Sequence, residues 1–261
     1  MRERAGVKVK AAVFFLVIIL GLGIMVNGHS SLQAASLNID FGSGGQEGAL
    51  GPLQMLFFLT LITLAPSILI MLTSFTRIII VFSFLRNAIG LQQTPPNQVI
   101  IGLALFLSLF IMWPVLDEIN ETALQPFMAG TISQAECLDN IEEPLKIFML
   151  KQTKAPELNL FLSLAGEESL TEELRPELLE NLGMRIVIPA FITSELKRAF
   201  IMGFLLFIPF LVIDMIVAST LMSMGMVMLP PSMISLPFKL MLFVVVDGWS
   251  LLMETLVKSF H

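Results

Sequence analysis

The chain has 261 residues, of which 56% are hydrophobic and only 14% charged, and its mean hydropathy is +0.86. This composition excludes an ordinary soluble globular domain and makes an integral membrane protein the first expectation. The net charge of -6, with no Lys/Arg-rich run after residue 10, argues against a nucleic-acid partner, and the single cysteine, Cys137, can build neither an intramolecular disulfide nor a thiolate metal cluster.

Arg2, Arg4, Lys8 and Lys10 precede an uncharged apolar run from Ala11 to Val26, and small residues come next at Ser30, Ser31, Ala34, Ala35 and Ser36. That order is the order of a secretory signal peptide, placed over residues 1–35, with Leu32-Gln33-Ala34 as an imperfect cleavage site. Whether cleaved or kept as an anchor, it puts the residues after it outside the cytoplasm. Residues 36–51 include Gly42-Ser43-Gly44-Gly45-Gln46-Glu47-Gly48, a stretch with nothing to bury, and read as a flexible leader.

Residues 52–116 read as a first apolar helical hairpin. Leu53 to Leu72 is long enough to cross hydrocarbon, with a kink expected at Pro66, and a second apolar helix runs from about Val99 to Leu116. Arg77 and Arg86 fall between them, beside the turn-forming Thr94-Pro95-Pro96-Asn97, so the positive-inside bias points this connection at the cytoplasm. Residues 117–185 are a different material: from Asp117 to Glu180, 14 acidic residues stand against Lys146, Lys151, Lys154 and Arg175. This is the pattern of a small, helical, exported (periplasmic) domain with a solvated acidic face. One helix is expected over Ile141 to about Gln152, with Leu145, Phe148, Met149 and Gln152 on one face, and a second after the capping box Ser169-x-x-Glu172.

Residues 186–261 read as a second apolar hairpin, with helical pattern through Ala199 to Leu221 and again from about Phe238 to Val257. Gly225 and Pro230-Pro231 keep the connection between them out of a helix. The fold class is therefore an all-α membrane protein made of helical hairpins. Asp214 interrupts its apolar segment after 15 uncharged residues, and Lys239, Asp247 and Glu254 are spread through the next. Each costs a few kcal/mol at a bilayer centre if it faces lipid, so these charges are expected to pair inside an assembly. On one helix Lys239 and Asp247 share a face about 12 Å apart, too far to touch. Lys239 is expected to meet Asp214 or an acid of a neighbouring subunit instead. Between the two segments, Met222, Met224, Met226 and Met228 fall within seven residues. Unbranched, adaptable side chains at that spacing suit either gap filling or a yielding seal.

Ser194-Glu195-Leu196-Lys197 matches the spacing of a serine with a lysine base, but no accompanying Ser-Asp-Asn or Lys-Thr-Gly occurs, so a membrane protease is the weak enzyme reading. His29 lies in the signal region and His261 is the last residue of the sequence, which leaves no internal histidine for a triad or zinc site. No phosphate-cradling glycine loop is present either. The chain is expected to be no enzyme and to need no cofactor.

Several blocks occur in order: Ser74-Phe75-Thr76-Arg77-Ile78-Ile79-Ile80-Val81-Phe82-Ser83-Phe84-Leu85-Arg86, Pro189-Ala190-Phe191, Ser194-Glu195-Leu196-Lys197, Phe207-Ile208-Pro209-Phe210, Leu236-Pro237-Phe238-Lys239-Leu240 and Asp247-Gly248-Trp249. With these blocks the chain resembles the FliP family of flagellar export-gate proteins from about Pro52 to Ser259. The resemblance implies a core subunit of the flagellar type III export gate in the bacterial inner membrane and flagellar basal body. Five copies would assemble with FliQ, FliR and other export-apparatus subunits, in contact with membrane lipid, into a channel for unfolded flagellar proteins. It also implies a pore gasket at Met226, Val227 and Met228, where Val227 departs from an all-methionine pattern. Arg77, Glu195, Lys197 and Lys239 become candidates for contacts between subunits, with Asp214 and Asp247 as further buried charges. A virulence type III secretion homologue is the nearest alternative, disfavoured by the signal peptide. A small-solute or ion transporter is the alternative from another class, disfavoured by the lack of an internal repeat.

Overall fold

In the computed structural model, residues 59–60, 63–64, 66–91, 94–167, 182–226 and 228–260 are described. The signal peptide, the leader, nine of the twenty residues of the first apolar segment, nearly all of the helix expected after Ser169, and Val227 lie outside them. Residues Leu69–His261 form one compact unit, which holds every helix from Phe75 onward. Among the described residues there is no strand.

The kink expected at Pro66 falls beside undescribed residue 65. The described break comes later, at Thr73 and Ser74, immediately before α1 (Phe75–Ile89). Here Ser74 Oγ donates to Ser108 Oγ at 3.0 Å, and Ser108 Oγ lies 3.3 Å from Thr73 Oγ1, so buried hydroxyls pin the start of α1 to α2 (Asn97–Ile119). Ile78, Val81, Phe82, Leu85 and Ile89 give α1 an apolar face at helical spacing, and all are buried. Gly90, at φ 91°, ends it: its N–H donates to Asn87 O, and that of Leu91 to Arg86 O. By sequence this stretch reads as the connection of a hairpin. It is instead a core helix, because its apolar residues recur on one stripe.

In α2, Ile100, Ala104, Leu107, Ser108, Ile111 and Met112 face inward while Phe106, Phe110 and Trp113 remain exposed. The helical path continues through a π turn, Asn120–Leu124, into the short α3 (Gln125–Met128). Pro126 has no N–H to offer Thr122 O four residues back. Asn140 Nδ2 donates to that carbonyl at 3.0 Å, from α4 (Gln134–Gln152). Cys137 is buried on the same face, its Sγ 3.8 Å from Ala123 O.

The capping box of α4 is Ser133 with Glu136: the Ser133 N–H donates to Glu136 Oε2 at 2.7 Å, and the Glu136 N–H to Ser133 Oγ at 3.2 Å. It sets the helix start seven residues before the expected Ile141. A further helix, α5 (Ala155–Ala165), comes at once, with Pro156 in its first turn and Gly166 in the left-handed conformation at its end. The long α6 (Met184–Ser223) has 40 residues and contains Pro189 and Pro209. After the loop come α7 (Pro231–Val245) and α8 (Gly248–Lys258), which meet at a bend of 63°.

α6 is the hub, with α1, α4, α5 and α7 all packed on it. α1 and α6 run in the same direction: Arg77 meets Glu195, and seven residues further along α1 Phe84 meets Gly203, eight residues along α6. The approach there is close, since a Cβ on Gly203 would stand 2.5 Å from the Phe84 ring. Among the described residues two helical stretches, Asn97–Met128 and Met184–Ser223, are each long and apolar enough to cross a membrane, and the number rises to at most four if each of two bent helix pairs crosses as one broken span.

Candidate functional site

Among the described residues two charged clusters sit inside this helical body. The first is built around Arg77, in the first turn of α1 and fully buried. Its Nε donates to Glu195 Oε2 at 2.9 Å and its Nη2 to Glu195 Oε1, a bidentate fork on a carboxylate that is itself fully buried on α6. Nη2 also reaches Gln152 Oε1 at 3.3 Å, and Nη1 donates to Ser259 O at 3.0 Å and Ser259 Oγ at 2.8 Å. All five guanidinium N–H groups thus find acceptors. The Phe260 ring lies beneath, its centroid 3.7 Å from Cζ, and its carbonyl accepts from Gln152 Nε2 at 2.9 Å. One cation therefore ties together α1, α6, the end of α4 and the residues after α8.

Around it, Arg198 Nη1 donates to Gln152 Oε1 at 3.2 Å. Ser194 Oγ donates to Gln152 O at 3.3 Å and accepts from the Lys154 N–H at 3.2 Å. Lys197 turns away to Glu157, its Nζ 2.6 Å from Oε1. The Ser-x-x-Lys spacing therefore brings no serine to its lysine: the hydroxyl joins helices and the ammonium holds an acid. Burial alone pushes the Glu157 carboxyl up, but hydrogen bonding to Lys197 and its own backbone, with the charges of Lys197 and Lys154, holds it below the usual carboxylate range.

The second cluster lies further along α6. Lys239, 4% exposed on α7, donates from Nζ to Asp214 Oδ2 at 2.6 Å and to Ala88 O at 3.1 Å. Of the two partners expected for Lys239, the structure places Asp214 of the same chain against it. Ser235, fully buried, donates to Asp214 Oδ1 at 2.6 Å.

Asp247 is apart from both. The helix expected to carry Lys239 and Asp247 on one face breaks between them, and Asp247 sits exposed at the bend with φ 50°. Gly248 makes the bend possible, because a Cβ there would stand 2.2 Å from the Phe243 ring. Arg77 is likewise no loop charge: with no solvent exposure and with Gln152 beside it, only Arg86 of the two arginines remains near the connection. Met226 is half-buried and Met228 96% exposed at the turn between α6 and α7, and Gly225, at φ 74°, ends α6.

Sequence reasoning missed Gln152, Glu157, Ser235, Ser259 and Phe260. Gln152 carried a signal, as a polar residue on an otherwise apolar helix face, and Ser235 stands one turn before Lys239. Nothing in the sequence marks Ser259 or Phe260, whose partners are 182 and 108 positions away.

A profile of the FliP family matches residues 58–256. The flagellar biosynthetic protein FliP of Bacillus subtilis (strain 168) is 51% identical over 220 residues, covering 84% of this chain and 97% of its own. That of Pectobacterium carotovorum subsp. carotovorum is 52% identical over 219 residues, covering 84% and 82%. That of Caulobacter vibrioides (strain ATCC 19089 / CIP 103742 / CB 15) is 44% identical over 252 residues, covering 97% and 91%.

Proposed function

Because the chain belongs to the FliP family, we propose that it is a core subunit of the flagellar type III export gate, acting by assembly and passage with no chemical step of its own. Copies of it, five in this reading, join FliQ and FliR in the inner membrane at the flagellar basal body. Together they enclose a channel for unfolded flagellar proteins. The flagellar names of the relatives favour this over a virulence apparatus.

The observation that carries the proposal is the division of α6 into two halves. From Met184 to Ala199 it buries Ile186, Val187, Ala190, Phe191, Ser194, Glu195 and Ala199 in its own chain. From Phe200 onward only Gly203, Phe210 and Leu221 are buried, while Phe200, Phe204, Leu205, Leu211, Met215 and Ile216 are all exposed. At 1.5 Å per residue the helix is about 60 Å long, and a tilt of about 40° still leaves a projection of about 46 Å against a hydrocarbon layer of about 30 Å. One end must stand outside the bilayer. The end held by Gln152 and Glu157 of the acidic segment is the natural one, which puts the Arg77–Glu195 cluster at the level of the exported domain. The apolar second half is then left for lipid, FliQ, FliR and neighbouring copies.

Native mass measurement of the detergent-extracted protein, alone and co-expressed with FliQ and FliR, tests this. A multiple of the chain mass that grows with both partners is expected. A stable solitary chain that ignores them would sink the proposal.

A further inference from the structure

Asp214 is gripped at both of its carboxylate oxygens by one helix. Lys239 Nζ takes Oδ2 and Ser235 Oγ takes Oδ1, each at 2.6 Å, and the two donors stand four residues apart on the same face of α7. The Ser235 hydroxyl also lies 3.2 Å from Ser232 O. It has one proton, and the shorter, charge-assisted contact takes it. Lys239 extends the grip to a third helix, because Ala88 O belongs to the last turn of α1, where carbonyls lack intrahelical donors.

The position of this clamp matters more than its strength. Asp214 is nine residues before the end of α6 and Ser235 four residues after the start of α7, so the clamp grips the two stems of the methionine turn about 14 Å and about 6 Å from their ends. A single ion pair leaves a carboxylate free to pivot about one oxygen. Two contacts from successive turns fix its rotation, and α7 cannot slip a turn along α6 and keep both. Ser235 has no solvent exposure, whereas the Asp214 side chain is 32% exposed.

We propose that Ser235 is a positioning residue of the gate: by holding the second oxygen of Asp214 it locks the stems of the turn that carries Met226 and Met228. The functional consequence rests on the reading of that turn as the seal of an export channel. The mechanical one does not.

The test uses the assembled membrane complex with Cys137→Ser and a nitroxide attached at Met228→Cys, read by electron paramagnetic resonance. Ion leak is measured on parallel complexes that keep Met228. Ser235→Ala is expected to abolish the immobilised component of the spectrum and to raise leak in the same direction as Met226→Ala with Met228→Ala. Ser235→Thr, which keeps the hydroxyl, is expected to restore both. An unchanged spectrum for Ser235→Ala in an assembled complex overturns the proposal whatever the leak. A mobilised label with no leak from the double methionine variant upholds Ser235 as the lock and sinks the sealing role instead. Should Ser235→Ala not assemble, Ser235→Val, which matches the threonine variant in shape but lacks its hydroxyl, carries the same label, and there too an unchanged spectrum overturns the proposal.

Discussion

A guanidinium presents five donors in one rigid plane, so an arginine withdrawn from water is tolerable only where acceptors already stand around that plane. Glu195, Gln152 and Ser259 provide them for Arg77, with Phe260 below. Either Arg77→Leu or Glu195→Leu alone leaves a buried charge without its partner and is expected to cost about 3–5 kcal/mol, read by thermal unfolding in detergent. Arg77→Leu combined with Glu195→Leu removes both charges and is expected to recover most of that loss. A double variant as unstable as the worse single one would show that the pair does more than neutralise itself. Glu157 predicts a pH dependence. Its folded carboxyl titrates below its ordinary value of 4.5, so the stability it adds is present above that value and fades as pH falls through the lower folded one. The stability difference between the protein and Glu157→Gln should therefore be constant near neutrality and shrink below about pH 4.5. A difference that persists unchanged in acid would show that Lys197 does not hold Glu157 ionised. These residues were unequally legible. Asp214 and Lys239 announced themselves as charges in apolar segments, Arg77, Glu195 and Lys197 came forward as contacts only through the blocks shared with the family, and Ser259 and Phe260 had no local signal because their role exists only once distant helices meet.

At the scale of elements, breaks in the helices follow backbone chemistry rather than hydropathy. Phe238 to Val257 is continuously apolar enough to suggest one span, yet α7 and α8 part at Asp247-Gly248. The left-handed conformation of Asp247 ends the helix, and the Phe243 ring, stacked edge-on against Trp249 with centroids 5.4 Å apart, fills the space that a side chain at 248 would need. Gly248→Ala must displace that ring and is expected to destabilise by about 1–3 kcal/mol. Asp247→Gly relieves the left-handed strain and is expected to be neutral or to stabilise. Equal melting temperatures for Gly248→Ala and the parent would show that the ring moves freely. The acidic segment teaches a similar lesson. Its α4 was visible from one apolar face, but its start at Ser133 came from a capping box that the eye passes over, since Gln134 to Asn140 carries little apolar periodicity.

For the whole molecule the informative contrast is between charge and oil. The internal charges at Arg77, Glu195, Asp214 and Lys239 are paired within the chain, while the second half of α6 is apolar and exposed around most of its circumference. Phe204, Ile208, Leu211 and Met215 form one stripe of that half. Phe204→Glu with Leu211→Glu places two carboxylates on it. If protein covers the stripe, the variant is expected to insert and yet sediment as a smaller particle than the parent. Unaltered particle size would move the interface to another face of α6.

Composition, helical periodicity and the order of a few residue blocks were enough to point to a helical, strongly apolar protein of the FliP family, because hydropathy and local pattern are properties of neighbours along the chain. They also located most of the buried charges. Which charge meets which, where α7 and α8 bend and why a serine and a phenylalanine near residue 260 matter were decided only by the tertiary structure. A guanidinium or carboxylate chooses its partner by distance in space, and the contacts that satisfy Arg77 join positions 75 to 182 residues apart.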